Sequence, residues 1–329
     1  MIAGKPKTVA LDPWLAELVR LAEAQPAPHT LPPQTARELV AARYGAAAEA
    51  VAGAARVRQV LDVSIPGPAG DLPARIYLPE TSAPCPVTLY FHGGGFVLMG
   101  LQTHDGICRR LCELSGSSIV SVDYRLAPEH PFPAALDDAM AALQWAAREA
   151  AAFGADPARL AVAGDSAGGN LATVTALRAR DEAGPALRAQ LLFYPVVDCA
   201  GGESVWPSWS DHAKGVGLTA DTMRWFRDLY LPSEGHWPHP HASPIRAPGL
   251  HGLPPAHIAT AGYDILRDEG EAYAAALAAA GVATTLTRYP SLNHAFLHWA
   301  DHVDAAMDAL RQAGRWLRFA LDQPPVEGR

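Results

Sequence analysis

The sequence predicts an α/β fold: a central, mostly parallel eight-stranded sheet flanked by helices on both faces. Two observations carry that expectation. Eight short apolar runs alternate with helical stretches along the chain, the rhythm of successive βαβ units. The middle runs, such as Val87–Phe91 and Leu160–Gly164, are apolar at nearly every position, as strands covered on both faces require. The chain has 329 residues, 49% hydrophobic and 18% charged, which is enough to bury a large core without staples and excludes a disordered chain.

Taken in order, the first element is a helix over residues 12–24. Asp12 caps it, Pro13 takes the first helical position, and Leu15, Leu18, Val19 and Ala22 form one stripe. A second helix follows Pro32 and Pro33 and runs to about Ala52. The period then changes: Val57, Gln59, Leu61, Val63 and Ile65 alternate with Arg58, Val60, Asp62 and Ser64, as on a strand with one drier face. Strands are expected at 57–64, 74–78, 87–91, 119–122, 160–164, 189–194, 257–262 and 284–289, with helices between most of them, among them 134–152, 170–180 and 268–280. Two segments fall outside the rhythm, residues 1–52 and the Gly- and Pro-rich insertion 199–250, which carries a helix near Thr219–Tyr230. Long insertions at the C-terminal edge of such a sheet commonly cover a site. Both segments are therefore expected to form one helical cap over a body made of 53–198 and 251–329.

The formal charge is −8 and no basic block occurs, so nucleic acid is not an expected partner. No stretch of 18 apolar residues occurs, and Asp12, Glu17 and Arg20 interrupt the opening segment. Neither a membrane span nor a secretory leader is expected, and the cytoplasm is the expected location. Cys85, Cys108, Cys112 and Cys199 lack the density of a disulfide framework. Cys108 and Cys112 would share a helix face as packed thiols, and no metal site is expected of them.

The chemistry gathers in four places. Gly164-Asp165-Ser166-Ala167-Gly168 matches G-x-S-x-G, follows an apolar strand and precedes a helical stretch, the strand–turn–helix setting of a nucleophile elbow. The pattern alone has a plainer reading, a serine capping a helix at a tight turn; a chain of this size gives about 0.1 chance matches. His92-Gly93-Gly94-Gly95 follows the strand Val87–Phe91, and its glycines let backbone N–H groups turn outward toward a developing oxyanion. A phosphate cradle is disfavoured, because no Gly-Lys-Ser/Thr follows and Phe96-Val97-Leu98 comes next. Asp264, at the end of the seventh strand, and His294, after the eighth, complete the order serine, acid, histidine. Asp268 is the rival acid, expected instead to cap the next helix. His130, His236, His239, His241 and His298 are the decoys among thirteen histidines.

Together these residues resemble the hormone-sensitive lipase family of esterases, of the bacterial HGGG type, on an α/β-hydrolase fold. The resemblance covers nearly the whole chain: His92–Gly95, the stretch Asp123–Ala135, Gly164–Gly169, Tyr263–Glu269 and Asn293–Phe296. It implies Ser166, Asp264 and His294 as a catalytic triad, with N–H groups of Gly93, Gly94, Gly95 and Ala167 as the oxyanion hole. Many relatives carry Pro at the position of Ile265 and Gly at that of Ala295. The Asp123–Ala135 stretch is read as scaffold beneath the site.

The expected function is that of a serine carboxylesterase acting on small esters with short- to medium-chain acyl groups, with no cofactor and no metal. Removal of an acyl group from a decorated metabolite is the runner-up, amide or lactone hydrolysis comes third, and a non-catalytic binding protein on the same fold is the rival from another class. Phe96, Trp209 and Phe226 are expected to line the substrate pocket; packing of the cap onto the body is the plainer role for the aromatics there. An exposed eighth strand can pair across a homodimer.

Overall fold

The computed structural model describes residues 9–52, 55–81 and 84–323. The first eight residues of the N-terminal segment, residues 53–54 and 82–83, and the last six lie outside the described residues. All eight strands form one sheet: β1 (Gln59–Gly67), β2 (Gly70–Leu78), β3 (Cys85–Phe91), β4 (Ser118–Val122), β5 (Ala155–Asp165), β6 (Leu187–Phe193), β7 (Ala256–Tyr263) and β8 (Thr284–Asn293). Their order is β1-β2-β4-β3-β5-β6-β7-β8. β2 runs antiparallel to both of its neighbours, and every other pairing is parallel. The expected alternation in β1 reflects its place at the sheet's edge, where it makes an antiparallel ribbon with β2. β8 forms the other edge.

The helices are α1 (Pro13–Glu23), α2 (Pro33–Ala52), α3 (Leu101–Ser115), α4 (Ala134–Glu149), α5 (Ala167–Asp181), α6 (Pro207–Asp211), α7 (Ala220–Tyr230), α8 (Arg267–Ala279) and α9 (Asp304–Asp322). α1 starts as its sequence dictates: Asp12 Oδ1 accepts the N–H groups of Trp14 at 2.9 Å and Leu15 at 3.4 Å, so two donors without helical partners are satisfied.

The pleat sends alternate strand residues to opposite faces and so divides the core in two. Leu89, Phe91, Val162, Leu192 and Ile258 pack with Leu143 of α4, Leu171 and Val174 of α5 and Leu277 of α8. Tyr90, Ala163, Leu191, Phe193 and Ala261 face the other way, against Ile107 and Leu111 of α3 and Leu310 and Leu317 of α9. Cys108 and Cys112 are free, buried thiols in this second layer. Gly314 of α9 lets that helix settle on α3, since a Cβ there would stand 2.5 Å from the Leu114 Cβ. Every residue of β3 and β4 is buried, and the sheet is thus a rigid platform whose loops at one end carry the functional groups. Among the described residues no helix is long and apolar enough to cross a membrane.

Candidate active site

Ser166 sits between the last residue of β5 and the first of α5, with φ 55° and ψ −119°. A non-glycine residue pays for such a conformation, and the neighbouring packing enforces it. The flanking glycines are required by space: a Cβ on Gly164 would stand 2.2 Å from the Gly168 carbonyl oxygen, and one on Gly168 would stand 1.9 Å from that of Phe91. The turn lifts the hydroxyl clear of the sheet.

Asp264 follows β7 and His294 follows β8. The His294 Nε2 lies 3.0 Å from the Ser166 Oγ, and its Nδ1 lies 2.8 Å from the Asp264 Oδ2. The Asp264 Oδ1 accepts the Leu266 N–H at 2.9 Å, which fixes the carboxylate plane. The carboxylate is buried, with 1% of its surface exposed. Asn293 ties the histidine loop to the insertion by donating from Nδ2 to the Val216 carbonyl at 2.9 Å. Ala295 has φ 63°, a left-handed conformation that glycine adopts without strain.

The glycine run divides by function. The Gly93 N–H donates to the Asp165 Oδ1 at 3.0 Å, so it points away from the serine. The N–H groups of Gly94, Gly95 and Ala167 have no acceptor among the described residues. Gly94 and Gly95 take φ 110° and 63°, and a Cβ on Gly95 would fall 2.2 Å from the Phe226 ring. Asp165 is a hub, accepting also from the Tyr90 hydroxyl at 2.9 Å and lying 3.1 Å from the His104 Nε2. Burial opposes its ionisation, yet the neighbouring His104, then His298 and Tyr90, hold its carboxyl below the usual carboxylate range.

The stretch Asp123–Ala135 braces this loop from beneath. The Tyr124 hydroxyl donates to the His92 carbonyl at 2.7 Å, and the Ala127 N–H donates to that of Phe96 at 2.9 Å. Arg37 of α2 adds bonds to the carbonyls of Val97 and Ala127, both 2.8 Å, and pairs with Glu129.

This constellation of hydroxyl, imidazole, buried carboxylate and outward N–H donors is what nucleophilic acyl transfer uses. A model of the alpha/beta hydrolase fold family matches residues 88–298. The chain belongs to that family. Among its relatives, esterase LipI of Mycobacterium tuberculosis is 46% identical over 277 residues, covering 80% of this chain and 82% of the relative. An ethyl acetate hydrolase of Pseudomonas putida is 36% identical over 312 residues, covering 92% and 96%. A solved esterase of Pyrobaculum calidifontis superposes with a TM-score of 0.88 at 40% identity, covering 94% of this chain and 98% of that one. Within the family this hydrolase is of the hormone-sensitive lipase type.

A cavity of about 170 Å³ opens in front of Ser166. Leu18, Val19, Val40, Arg43 and Tyr44 of the first two helices line it, together with Leu218, Thr222 and Phe226 of the insertion. His29 joins the two segments, with Nδ1 2.9 Å from the Thr222 Oγ1. Trp209 and Phe96 do not line this cavity, which corrects the expectation for both. Trp209 packs with Val196, Ala220, Ile265 and Leu266 and donates its indole N–H to the Glu269 Oε2 at 3.3 Å, because that buried carboxylate needs a partner. Phe96 turns the other way and stacks on Tyr230, ring centroids 3.7 Å apart.

Asp268 does not cap its own helix; its Oδ2 accepts the Ser208 N–H at 2.8 Å. His130, His236 and His239 are exposed and His241 is half-buried, all away from the cavity. His298, though, is buried and lines it. Burial pushes its imidazole down to about 3, so it is neutral at working pH. His104, Asp165 and His298 are the one trio among the described residues close enough to share a metal ion. Tyr90, Gly93 and His104 already occupy the carboxylate of that trio.

Sequence reading missed Glu269. Its Oε1 accepts the Val197 N–H at 2.8 Å, beside Val196, whose N–H donates to the Ser166 carbonyl at 3.1 Å. Burial drives this carboxyl up to about 8, against the Val197 hydrogen bond and with help from the charge of Asp198. A raised folded value means a proton held in the native state: the stability it gives is complete below about 4.5 and is lost as pH rises through about 8. The melting temperature should therefore fall as pH rises from about 4.5 to about 8 and level off above that, and Glu269→Gln should flatten that fall. Parallel pH curves for the two proteins would dismiss Glu269 as its source.

Proposed function

We propose that this chain is a serine carboxylesterase that cleaves short- to medium-chain acyl esters through an acyl-enzyme on Ser166. The observation that carries the reading is the hydrogen-bonded series Ser166–His294–Asp264 opening onto a cavity. His294 takes the proton from the Ser166 Oγ as that oxygen attacks the ester carbonyl. Asp264 holds the Nδ1–H tautomer and stabilises the imidazolium that forms. The carbonyl oxygen, now an alkoxide, is received by the N–H groups of Gly94, Gly95 and Ala167, each such donor contributing ~10²–10³ in rate. The alcohol leaves with the proton from His294, and water repeats the sequence on the acyl-enzyme. The names of the relatives support the ester as substrate.

Residues 1–52 and 199–250 act in this reading as one cap over the 53–198 and 251–329 body, and Phe226 closes the acyl pocket beside Gly95. Phe226→Ala should shift the preference toward longer acyl chains. Trp209→Ala should leave that profile unchanged and instead destabilise the protein by roughly 3–5 kcal/mol, as loss of a buried tryptophan does. Chain-length profiles and thermal melts of both variants check this pair; an unchanged profile in Phe226→Ala would remove it from the pocket.

The deciding experiment is hydrolysis of p-nitrophenyl esters from acetate to dodecanoate, with a phosphonate label mapped by mass spectrometry. The expected result is a maximum on the short esters and a single label on Ser166. A folded protein that hydrolyses none of them, or a label on another residue, would overturn the reading.

A further inference from the structure

The cavity is lined by one arginine that has no carboxylate partner among the described residues. Its walls are largely apolar, and besides the imidazoles its charged lining residues are Asp165 and Arg43. Asp165 is held at its Oδ1 by three polar groups, Tyr90, Gly93 and His104. The Arg43 Nη2 donates to the Gln25 Oε1 at 2.7 Å, a neutral amide, and no carboxylate pairs with Arg43 among the described residues. Arg37, six residues earlier on the same helix, is by contrast paired with both oxygens of Glu129.

Nothing beside Arg43 neutralises it from within. The adjacent Tyr44 is half-buried, and desolvation holds its phenol above the usual tyrosine range, so it stays uncharged. The protein's overall charge of −8 repels an approaching anion at long range. Arg43 is half-buried at the wall of a mostly apolar cavity, where its guanidinium acts at short range and a planar two-pronged donor matches a carboxylate.

We propose that Arg43 is a substrate-recognition residue that selects esters bearing an anionic group, a carboxylate in the simplest case, remote from the scissile carbonyl. The inference rests on the esterase reading above and adds to it the chemical class of the substrate. A neutral ester leaves Arg43 on Gln25; an anionic one exchanges that amide for an ion pair.

The test uses matched pairs: monomethyl glutarate against glutaramic acid methyl ester, with the anion on the acyl side, and 4-acetoxybutyrate against its amide, with the anion on the alcohol side. Hydrolysis is followed by pH-stat in the wild type, Arg43→Gln and Arg43→Lys. In at least one pair the wild type should prefer the anionic member by roughly tenfold in kcat/KM, mostly through KM, the scale of one hydrogen bond to a charged group. That ratio should fall to one or below in Arg43→Gln and be partly kept in Arg43→Lys. Equal ratios in wild type and Arg43→Gln, or a wild-type preference for the neutral member of both pairs, would overturn the proposal. Calorimetric binding of 5-oxohexanoate against 5-oxohexanamide separates this failure from that of the esterase reading. Tighter binding of the anion that Arg43→Gln abolishes sustains the recognition site even without turnover, whereas equal binding of the two ligands refutes it.

Discussion

Ser166→Ala should lower kcat on a short p-nitrophenyl ester by about 10⁶-fold, the scale seen when the nucleophile of a Ser–His–Asp series is removed. Among the described residues the Oγ has one partner, the His294 Nε2 at 3.0 Å, so its loss strands no other buried group there. The backbone twist at φ 55° is imposed by Gly164, Gly168 and the strand beneath, and alanine inherits it unchanged. The variant should therefore fold, melt near the wild type and keep KM close to its original value, because the cavity and the oxyanion donors remain. A residual rate above water is expected from those donors alone. Steady-state kinetics with mass spectrometry for the acyl-enzyme decide the matter. Turnover near that of the wild type, or an acyl adduct still formed elsewhere, would take Ser166 out of the chemistry.

Much of this was legible because the physics is local. Strands such as Val87–Phe91 announce themselves as unbroken apolar runs, and the elbow announces itself through glycines that no other residue can replace. The edges were harder. β8 continues to Asn293 rather than stopping near Tyr289, because a register shift renews its pairing with β7 at Tyr263. No composition signal marks such a shift.

The glycine run was legible as donors but not as individuals. What separates Gly93 from Gly94 is the Asp165 carboxylate, and the hint lay in the acid immediately before the serine. Trp209 and Phe226 look alike in sequence, as aromatics of one insertion. They part only because Glu269, on a distant helix, claims the indole N–H, while Phe226 lies over Gly95. Arg43 gave no signal either: an arginine on a helix is ordinarily a solvated charge, and only the fold turns this one toward the serine's cavity.

Asp264→Asn should cost about 10⁴-fold in kcat, through the proton's position rather than through any lost packing. The carboxylate does two things: Oδ1 accepts the Leu266 N–H at 2.9 Å, and Oδ2 accepts the His294 Nδ1–H at 2.8 Å. An amide can accept at one end only. If its oxygen stays on Leu266, its NH₂ donates to Nδ1 and forces the imidazole proton onto Nε2, where the ring faces Ser166 as a donor and cannot take its proton. If the amide flips, the buried Leu266 N–H meets an NH₂ and is left unsatisfied, at roughly 1–3 kcal/mol. The first arrangement wins, so geometry survives while the base is disabled. Asp268→Asn is the control, since it alters only the contacts to Arg267 and Ser208 and should leave kcat within a few-fold of wild type. Kinetics of the two variants side by side assign the acid: a large loss in Asp268→Asn with Asp264→Asn spared would move it four residues along the chain.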